Sequence, residues 1–177
     1  MSTLATSPVI TTPRLRLRTP GRADNARLCG LINDFDIARM TTHVPHPYGP
    51  AEAEDFLERM QGLDRARSAV FAVETQDDGL VGVVGLHPAG RLGPEIGYWI
   101  GRPYWGRGLA TEATAAVLGW ARENWGQKVV VSGHFEDNPA SGRVLVKAGF
   151  LYTGEVQARH SKARGQIART RMMVWLA

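Results

Sequence analysis

One stretch of the chain, residues 95–113, constrains the fold more than any other. It begins with a run rich in aromatic and β-branched residues, Glu95–Ile100, which is typical of a strand. Pro103 and two glycines, Gly106 and Gly108, break this run, and an alanine-rich segment with helical periodicity follows. The sequence therefore predicts a strand, a glycine-rich loop and the first turn of a helix in immediate succession.

This succession of elements favours the binding of an anion. The first backbone N–H groups of a helix have no partner within the helix, and the helix dipole adds partial positive charge at the same end. Glycines at positions 106 and 108 allow positive φ angles and a close approach of the backbone to a phosphate group. Arg102 and Arg107 add full positive charges beside the loop. We therefore expect a phosphate-binding site at this point.

Two common phosphate-binding motifs do not match the loop. A Walker A motif requires Lys and then Ser or Thr after its last glycine, where this chain has Leu109 and Ala110, and a dinucleotide fingerprint requires glycine where Thr111 stands. The segment from Trp105 to Ala110 instead resembles the pyrophosphate loop of the GNAT acetyltransferases, Q/R-x-x-G-x-G/A, with Trp105 in place of Gln or Arg. Together with its flanks it is similar to the Tyr-Trp-Gly-Arg/Lys-Gly-aliphatic-Ala/Gly-Thr-Glu-Ala string of the RimL/RimJ-like branch of that superfamily.

A second segment, residues 137–150, resembles the same branch. Asn138 and Ser141 lie three residues apart and so share one face of the predicted helix. The resemblance implies that Asn138 hydrogen-bonds the pantetheine arm of acetyl-CoA and that Ser141 lies near the thioester sulfur. From the residues alone, Asn138 fits a plain N-cap before Pro139 equally well, and Ser141 fits a first-turn hydroxyl.

The resemblance implies acetyl-CoA as the co-substrate and no metal. It also implies a backbone N–H near Ile100 that polarises the thioester carbonyl, because the family's strand bulges there and leaves donors unpaired. A metal site is not expected at His43 and His46, since Pro45 between them prevents a helix from bringing them together. The residues predicted to contact the co-substrate are Ile100, Arg102, Trp105, Gly106, Arg107, Gly108, Leu109, Ala110, Thr111, Asn138 and Ser141.

Acetyl transfer from a thioester to an amine requires a base for the amine and an acid for the departing thiolate. Many GNAT enzymes carry a Tyr two residues before the Lys of the second segment, and this chain has Leu145 there. The acid is therefore Ser141, Tyr152 or water. Glu95 is the candidate base, because family enzymes use a carboxylate on this strand directly or through water. The alternative for Glu95 is a solvated charge at the start of a strand.

The predicted acceptor is the α-amine of a protein or peptide, and this prediction follows from the resemblance alone. An α-amine, with a pKa of about 7.7 to 8.0, is roughly a tenth to a sixth neutral at pH 7 and demands little of a base. A small-molecule amine is the nearest alternative. A non-catalytic acyl-CoA sensor is an alternative of another class, which Leu145 keeps open. His46, Tyr48 and Tyr98 are predicted to line the acceptor groove, with ordinary loop packing as the alternative for the first two.

The overall composition predicts one cytoplasmic domain over residues 1–177, with residues 1–10 as an N-terminal extension. Cys29 is the single cysteine, so no internal disulfide forms, and its apolar helix predicts a buried structural thiol and not a nucleophile. No apolar run reaches the roughly 18 residues of a membrane span, and the N-terminus lacks a signal-peptide pattern. We therefore expect no membrane partner.

The formal net charge of +4 and the pI near 9.6 favour anionic partners. Arg14, Arg16 and Arg18 alternate with leucines, however, which is typical of a strand with one solvated face and not of a nucleic-acid patch. The sequence also lacks helix-turn-helix, zinc-finger and RNP-type signatures. We therefore expect no nucleic-acid partner.

The order of predicted elements is strand, helices, a three-strand meander, helix, strand, helix and two strands. This order predicts an α/β fold. The resemblance specifies a GNAT-like three-layer α/β/α arrangement whose central mixed, mostly antiparallel sheet has about seven strands and is splayed at the acetyl-CoA slot. The same branch contains many homodimers, so a homodimer is an open expectation.

Overall fold

An eight-stranded mixed sheet forms the centre of the computed structural model, which describes residues 8–177. The order across the sheet is β1-β2-β3-β4-β5-β6-β8-β7, and every neighbouring pair is antiparallel except β5 and β6, which are parallel. The strands are β1 (Ile10–Thr11), β2 (Leu15–Arg18), β3 (Ala69–Thr75), β4 (Gly79–His87), β5 (Glu95–Ile100), β6 (Val129–Phe135), β7 (Leu151–Ser161) and β8 (Gln166–Leu176). This arrangement confirms the predicted α/β fold with a mixed, mostly antiparallel sheet, and the strand beyond the seven expected is the two-residue β1.

Helices flank this sheet in two groups, since α1 packs on α3 and α4 packs on α5. Their bounds are α1 (Asn25–Ile32), α2 (Phe35–Ala38), α3 (Pro50–Gln61), α4 (Leu109–Trp125) and α5 (Pro139–Lys147). Short 3-10 turns cover Arg22–Asp24 and Arg102–Tyr104. No helix among residues 8–177 has the combination of length and apolarity that crossing a bilayer requires.

Local sequence signals explain where the two helices nearest the site begin and end. Helix α4 starts after Gly108 and ends before Gly126, and both glycines are in the left-handed region, at φ +74° and +63°. Helix α5 begins with Pro139 at its first position, and the Asn138 side chain accepts a hydrogen bond from the Ser141 backbone N–H at 3.3 Å. Gly149, at φ +101°, follows α5. These ends hold the first turns of both helices at one edge of the sheet.

The core lies between the central strands and the helices on either side. Phe71 and Val81 are fully buried on the sheet, and Leu28, Leu118 and Leu145 are fully buried on the helices. Burying one such side chain stabilises the fold by roughly 1.5–3 kcal/mol. This packing holds β4 and β5 rigidly in register, so the residues at their ends are fixed relative to one another.

Two regions differ from the expectations. The sequence predicts the last two strands over residues 150–156 and 169–176, joined by a basic loop through His160 and Arg164. The observed strands β7 and β8 instead extend to Ser161 and Gln166, and a four-residue turn joins them, because Gly165 at φ +65° permits a tight reversal. Of the predicted N-terminal extension 1–10, residues 1–7 lie outside the described residues, and Ile10 pairs with Leu17 in the sheet.

Candidate active site

A cleft of about 1140 Å³ opens where the parallel strands β5 and β6 diverge. In the described part of the chain, a single register pair, Glu95 opposite Val131, joins the two strands. Beyond that pair the strands separate, and the first turns of α4 and α5 form the walls of the gap. The segment 36–44 closes one end of the cleft. The predicted splay of the sheet is therefore present.

The divergence leaves backbone groups of β5 directed into the cleft. The Gly101 N–H donates to the Val81 carbonyl of β4 at 2.8 Å. Since alternate residues of an antiparallel strand direct both backbone groups to the same side, the N–H groups of Tyr98 and Ile100 face away from β4. The register against β4 is continuous over all of β5, so the bulge predicted near Ile100 is not present. The departure of β6 exposes the donors instead.

The glycine loop has the predicted geometry. Gly106 and Gly108 both have φ +74°, a conformation that costs an L side chain about 1–2 kcal/mol. Gly108 supplies no capping side chain to α4, so the N–H groups of the first turn stay available to a ligand. Leu109 and Ala110 line the cleft here, together with Gly106, Gly108 and Thr111. Trp105 also lines it, and its indole Nε1 donates to the Ile100 carbonyl at 2.7 Å.

Arg14 supports this loop from behind. Its Nη1 donates to the Arg107 carbonyl at 2.8 Å, and its Nε donates to the Glu112 carboxylate at 2.6 Å. Burial raises the pKa of Glu112, but hydrogen bonds from Thr12 and Arg14 outweigh it and lower that pKa. The alternation of arginines predicts only a solvated face, so this role of Arg14 was missed, because Glu112 lies in a distant helix.

The two cations predicted for the loop, Arg102 and Arg107, lie outside the cleft lining. Arg102 forms ion pairs with Asp34 at 2.6 Å and with Asp36 at 2.7 Å, and its guanidinium lies 5.1 Å from the centre of the Trp105 ring. These pairs lower the pKa of both carboxyls. The exposed Arg107 lies over the ring of Tyr104 at 5.4 Å. Arg102 therefore anchors α2 to the loop.

Two cations that the sequence interpretation did not assign line the cleft on α5. Arg143 and Lys147 are exposed, lie one helical turn apart and line the same cleft as the first turn of α4. Their i, i+4 spacing was the signal that could have identified them. The cleft therefore brings a helix N-terminus and two cationic side chains together, which suits a polyphosphate.

A pair of hydroxyl groups bridges the cleft between β5 and α5. The Tyr98 Oη and the Ser141 Oγ are 2.7 Å apart, and Tyr98 also donates to the Ser141 carbonyl at 3.2 Å. Burial raises the pKa of Tyr98, and the hydrogen bond with Ser141 opposes this only in part. The phenol is therefore protonated over the physiological pH range. Tyr98 was predicted as an acceptor-binding residue, and its side chain instead meets the predicted acid.

The remaining acid candidate, Tyr152, lies outside the cleft lining. Its hydroxyl is 2.9 Å from Nε2 of the buried His134, whose Nδ1 lies 2.8 Å from the Phe135 carbonyl. A carbonyl only accepts, so Nδ1 carries the proton and Nε2 accepts from Tyr152. Leu145, at the position where the family has Tyr, is fully buried. Of the two acid candidates, Ser141 is therefore the one that lines the cleft, and it does so paired with Tyr98.

The opposite face of β5 carries a charged cluster. Glu95 is held by Arg159 through two hydrogen bonds, of 2.5 Å and 3.1 Å, and both residues line the cleft. His87 pairs with Glu95 across β4 and β5 and also lines the cleft. The His87 side chain is exposed, yet desolvation by the protein around its ring lowers its pKa. His87 was missed because its neighbours in the chain are unremarkable.

The segment 36–44 is fastened to the β7–β8 turn. Arg164 donates to the Arg39 carbonyl at 2.5 Å and forms a two-bond ion pair with Asp137, at 2.7 Å and 2.9 Å. The Ser161 hydroxyl donates to the Thr41 carbonyl at 3.0 Å. Arg164 lowers the pKa of Asp137. The acceptor end of the cleft therefore has a fixed wall.

Two side chains of the proline-rich loop that were predicted to line the acceptor groove lie elsewhere, whereas Cys29 lies in a helix as predicted. Tyr48 is only 6% exposed and donates to the Glu52 carbonyl, because the loop turns its ring into the core, so Tyr48 does not line the cleft as predicted. His46 is exposed and packs edge-on against Phe35 at 5.4 Å, also outside the cleft lining. Cys29 is partly buried in α1. Among residues 8–177, no group of three or more potential metal-ligating side chains is found.

Comparisons with known proteins agree with this geometry. A family model described as an acetyltransferase (GNAT) domain matches residues 14–151. A curated relative, the uncharacterized N-acetyltransferase YoaA of Bacillus subtilis (strain 168), is 26% identical over 164 residues, which cover 83% of this chain and 85% of YoaA.

Solved structures with the same fold include enzymes with different acceptors. RimL, a ribosomal L7/L12 alpha-N-protein acetyltransferase in complex with coenzyme A, superposes with a TM-score of 0.83 at 16% identity and covers 96% of this chain and 98% of its own. Spermidine N-acetyltransferase from Vibrio cholerae, in complex with CoA and spermine, superposes with a TM-score of 0.77 at 20% identity and covers 93% and 96%. At these identities the superpositions show a shared fold.

Proposed function

The chain belongs to the GNAT family of acetyltransferases, and from this premise we propose that it transfers an acetyl group from acetyl-CoA to the α-amine of a protein or peptide, as a RimL/RimJ-like enzyme. The observation that carries the proposal is the cleft between β5 and β6, which has the α4 N-terminus at one side and the Tyr98–Ser141 pair across it. A cytoplasmic location, which the single cysteine favours, stays a prediction.

The charges and donors of the cleft suit coenzyme A. The N–H groups of the α4 first turn, with Gly108 at the N-cap, would bind the diphosphate, and Arg143 and Lys147 would add charge from the facing helix. The backbone groups of Tyr98 and the N–H of Ile100, whose carbonyl is already bound by Trp105, would pair with the amides of the pantetheine arm or with the thioester carbonyl. The predicted role of an N–H near Ile100 in polarising the thioester carbonyl is therefore part of this proposal, although the departure of β6 and not a bulge leaves this N–H unpaired.

The proposed reaction is a direct attack in a ternary complex. The amine nitrogen forms a bond to the thioester carbon, the carbon–sulfur bond breaks, and one proton of the amine leaves to a base. The departing thiolate takes a proton from the hydroxyl pair of Ser141 and Tyr98, which lies in the gap between the strands. No covalent enzyme intermediate is needed.

The pairing of the acidic side chains favours a singly charged acceptor over a polyamine. The carboxylates that line the cleft in the described residues are Asp36, Glu95 and Asp137, and each is already paired with an arginine. A polyamine would need unpaired carboxylates for its several ammonium groups. An α-amine is partly neutral near pH 7 and needs no unpaired carboxylate.

The first test is therefore a comparison of acceptors. With acetyl-CoA as donor, we expect peptides with free N-termini to give a kcat/KM at least about tenfold higher than spermidine, a difference of about 1.4 kcal/mol. Thiol release gives the rate with each acceptor, and mass spectrometry identifies the acetylated product. Faster turnover of spermidine or of free amino acids would contradict the peptide acceptor, and binding of CoA without transfer to any amine would favour the sensor.

The second test concerns the glycine loop. Gly108→Ala is expected to weaken the affinity for CoA about tenfold, because strain of about 1–2 kcal/mol at φ +74° turns the first N–H groups away from the diphosphate. Gly126→Ala is the matched control, since it places the same strain, at φ +63°, at the far end of the same helix. Isothermal titration calorimetry should show the loss only for Gly108→Ala, while both variants lose similar thermal stability. Equal CoA affinity in the two variants would contradict this placement of the diphosphate.

A further inference from the structure

We propose that His87 is the base that accepts the proton of the acceptor amine, and that Glu95 acts only by stabilising the resulting imidazolium. His87 can act in this way only if the chain is an amine acetyltransferase, as proposed above. The assignment replaces Glu95, the base expected from the sequence, and it names a residue that no motif singled out.

The ion pair with Arg159 occupies the Glu95 carboxylate. Both of its oxygens are bound by the Arg159 guanidinium, at 2.5 Å and 3.1 Å, and the Glu95 side chain is 17% exposed. Because the guanidinium occupies both carboxylate oxygens, an amine can reach Glu95 only by breaking this two-bond pair. Glu95 therefore serves as a fixed negative charge.

His87 lies on the same face of the sheet as Glu95 and reaches towards the gap. The two residues form a register pair at adjacent strand ends, and residues two apart on one strand share a face, so Gly97 lies on that face as well. The His87 Cε1 is 4.0 Å from the place where a side chain at position 97 would begin. Because Gly97 has none, an amine can approach the strand gap directly beside the imidazole.

The acid and the base then lie on opposite faces of β5. The side chain of Tyr98 points to the face opposite that of Gly97, where it meets Ser141 of α5. A thioester lying in the gap would thus receive the amine from the His87 face and release the thiolate towards the hydroxyl pair. This separation keeps the proton acceptor and the proton donor from neutralising each other.

The surroundings of His87 keep it neutral at physiological pH. Desolvation by the surrounding protein lowers its pKa most, the charge of Glu95 opposes this, and His43 and Arg159 lower the pKa further. A neutral imidazole has a free lone pair for the amine proton. After transfer, the imidazolium beside Glu95 returns its proton to water, and the hydroxyl pair regains the proton it gave to the thiolate, so the proton balance closes over one turnover.

The test compares His87→Asn with the parent enzyme on a peptide acceptor. We expect kcat to fall about a hundredfold at pH 7, because general-base catalysis contributes at least about that factor. The parent kcat should decline as the pH is lowered through the pKa of His87, and this acidic limb should be absent in His87→Asn. The difference in kcat between His87→Asn and the parent should become smaller at pH 9, where most of the α-amine is neutral without a base. A merely structural role would not produce either pH effect.

Two further variants sharpen the result. His46→Asn is the matched control, because His46 lies against Phe35 outside the cleft lining, and we expect it to keep both the rate and the acidic limb. Glu95→Gln should move the limb to lower pH, since the charge that raises the pKa of His87 is gone. An unchanged rate and limb in His87→Asn would overturn the assignment and leave the proposed function intact. A parent enzyme that binds CoA but acetylates no amine would overturn both.

Discussion

Removing the two hydroxyls that meet between β5 and α5 is expected to lower kcat for acetyl transfer about a thousandfold, within the range of general-acid catalysis. The double variant is Tyr98→Phe with Ser141→Ala. Their oxygens are 2.7 Å apart, and the buried Leu145 offers no substitute proton donor. Thiol release at saturating acetyl-CoA and peptide measures kcat, and calorimetry with CoA checks that the cleft still binds its co-substrate.

The single variants separate the roles of the two hydroxyls. If the Ser141 hydroxyl protonates the thiolate and Tyr98 only orients it, Ser141→Ala should lose about a hundredfold and Tyr98→Phe about tenfold. Tyr152→Phe is the matched control, because Tyr152 is not among the residues that line the cleft and its hydroxyl is bound to His134, and it should lose less than about threefold. An unchanged kcat in the double variant would show that water protonates the thiolate.

Gly82→Ala is expected to lower the free energy of unfolding by about 3 kcal/mol, at the upper end for overpacking. A Cβ at this position would lie 2.3 Å from the Trp99 carbonyl oxygen and 2.7 Å from Cδ1 of Ile100. The first of these atoms belongs to the backbone of β5, so relief requires β4 and β5 to separate at the register pair Gly82–Ile100. Thermal unfolding should show a Tm lower by about 6–12 °C.

The matched control makes the same substitution of alanine for glycine at a position where it should stabilise the fold. Gly119 lies inside α4 with open space around it, so Gly119→Ala should raise the free energy of unfolding by about 0.5–1 kcal/mol through the better helix propensity of alanine. Gly82→Ala should also weaken CoA binding, because β5 forms one wall of the cleft. Equal Tm values for the two variants would contradict the close approach of the strands.

The glycine loop and the helix after it were predictable because residues within a few positions of one another determine their conformation. Gly106 and Gly108 adopt the positive φ that the motif predicts, and the strand Glu95–Ile100 has the predicted bounds. The α5 start was also predicted, since Asn138 and Pro139 are cap and first-turn residues in any context. Each of these signals acts within a few residues of the chain.

The partners of the charged and polar site residues were not predictable in this way. Glu95 meets Arg159 across 64 positions, and Tyr98 meets Ser141 across 43. Arg102, predicted for the phosphate loop, is instead bound by Asp34, which lies 68 positions earlier. The burial of Tyr48 was also not predictable, because the packing of distant elements and not the loop sequence determines whether its ring lies in the core.

The sequence by itself determined most of the elements, the conformation of the glycine loop and the family, since periodicity, caps and left-handed glycines act over short stretches of chain. Only the tertiary structure decided which side chains meet in the cleft. The order of strands and their register put His87 beside Glu95 and Gly97, and they separate these residues from Tyr98 by the thickness of one strand. Those contacts depend on how distant strands pair, and no local pattern encodes that pairing.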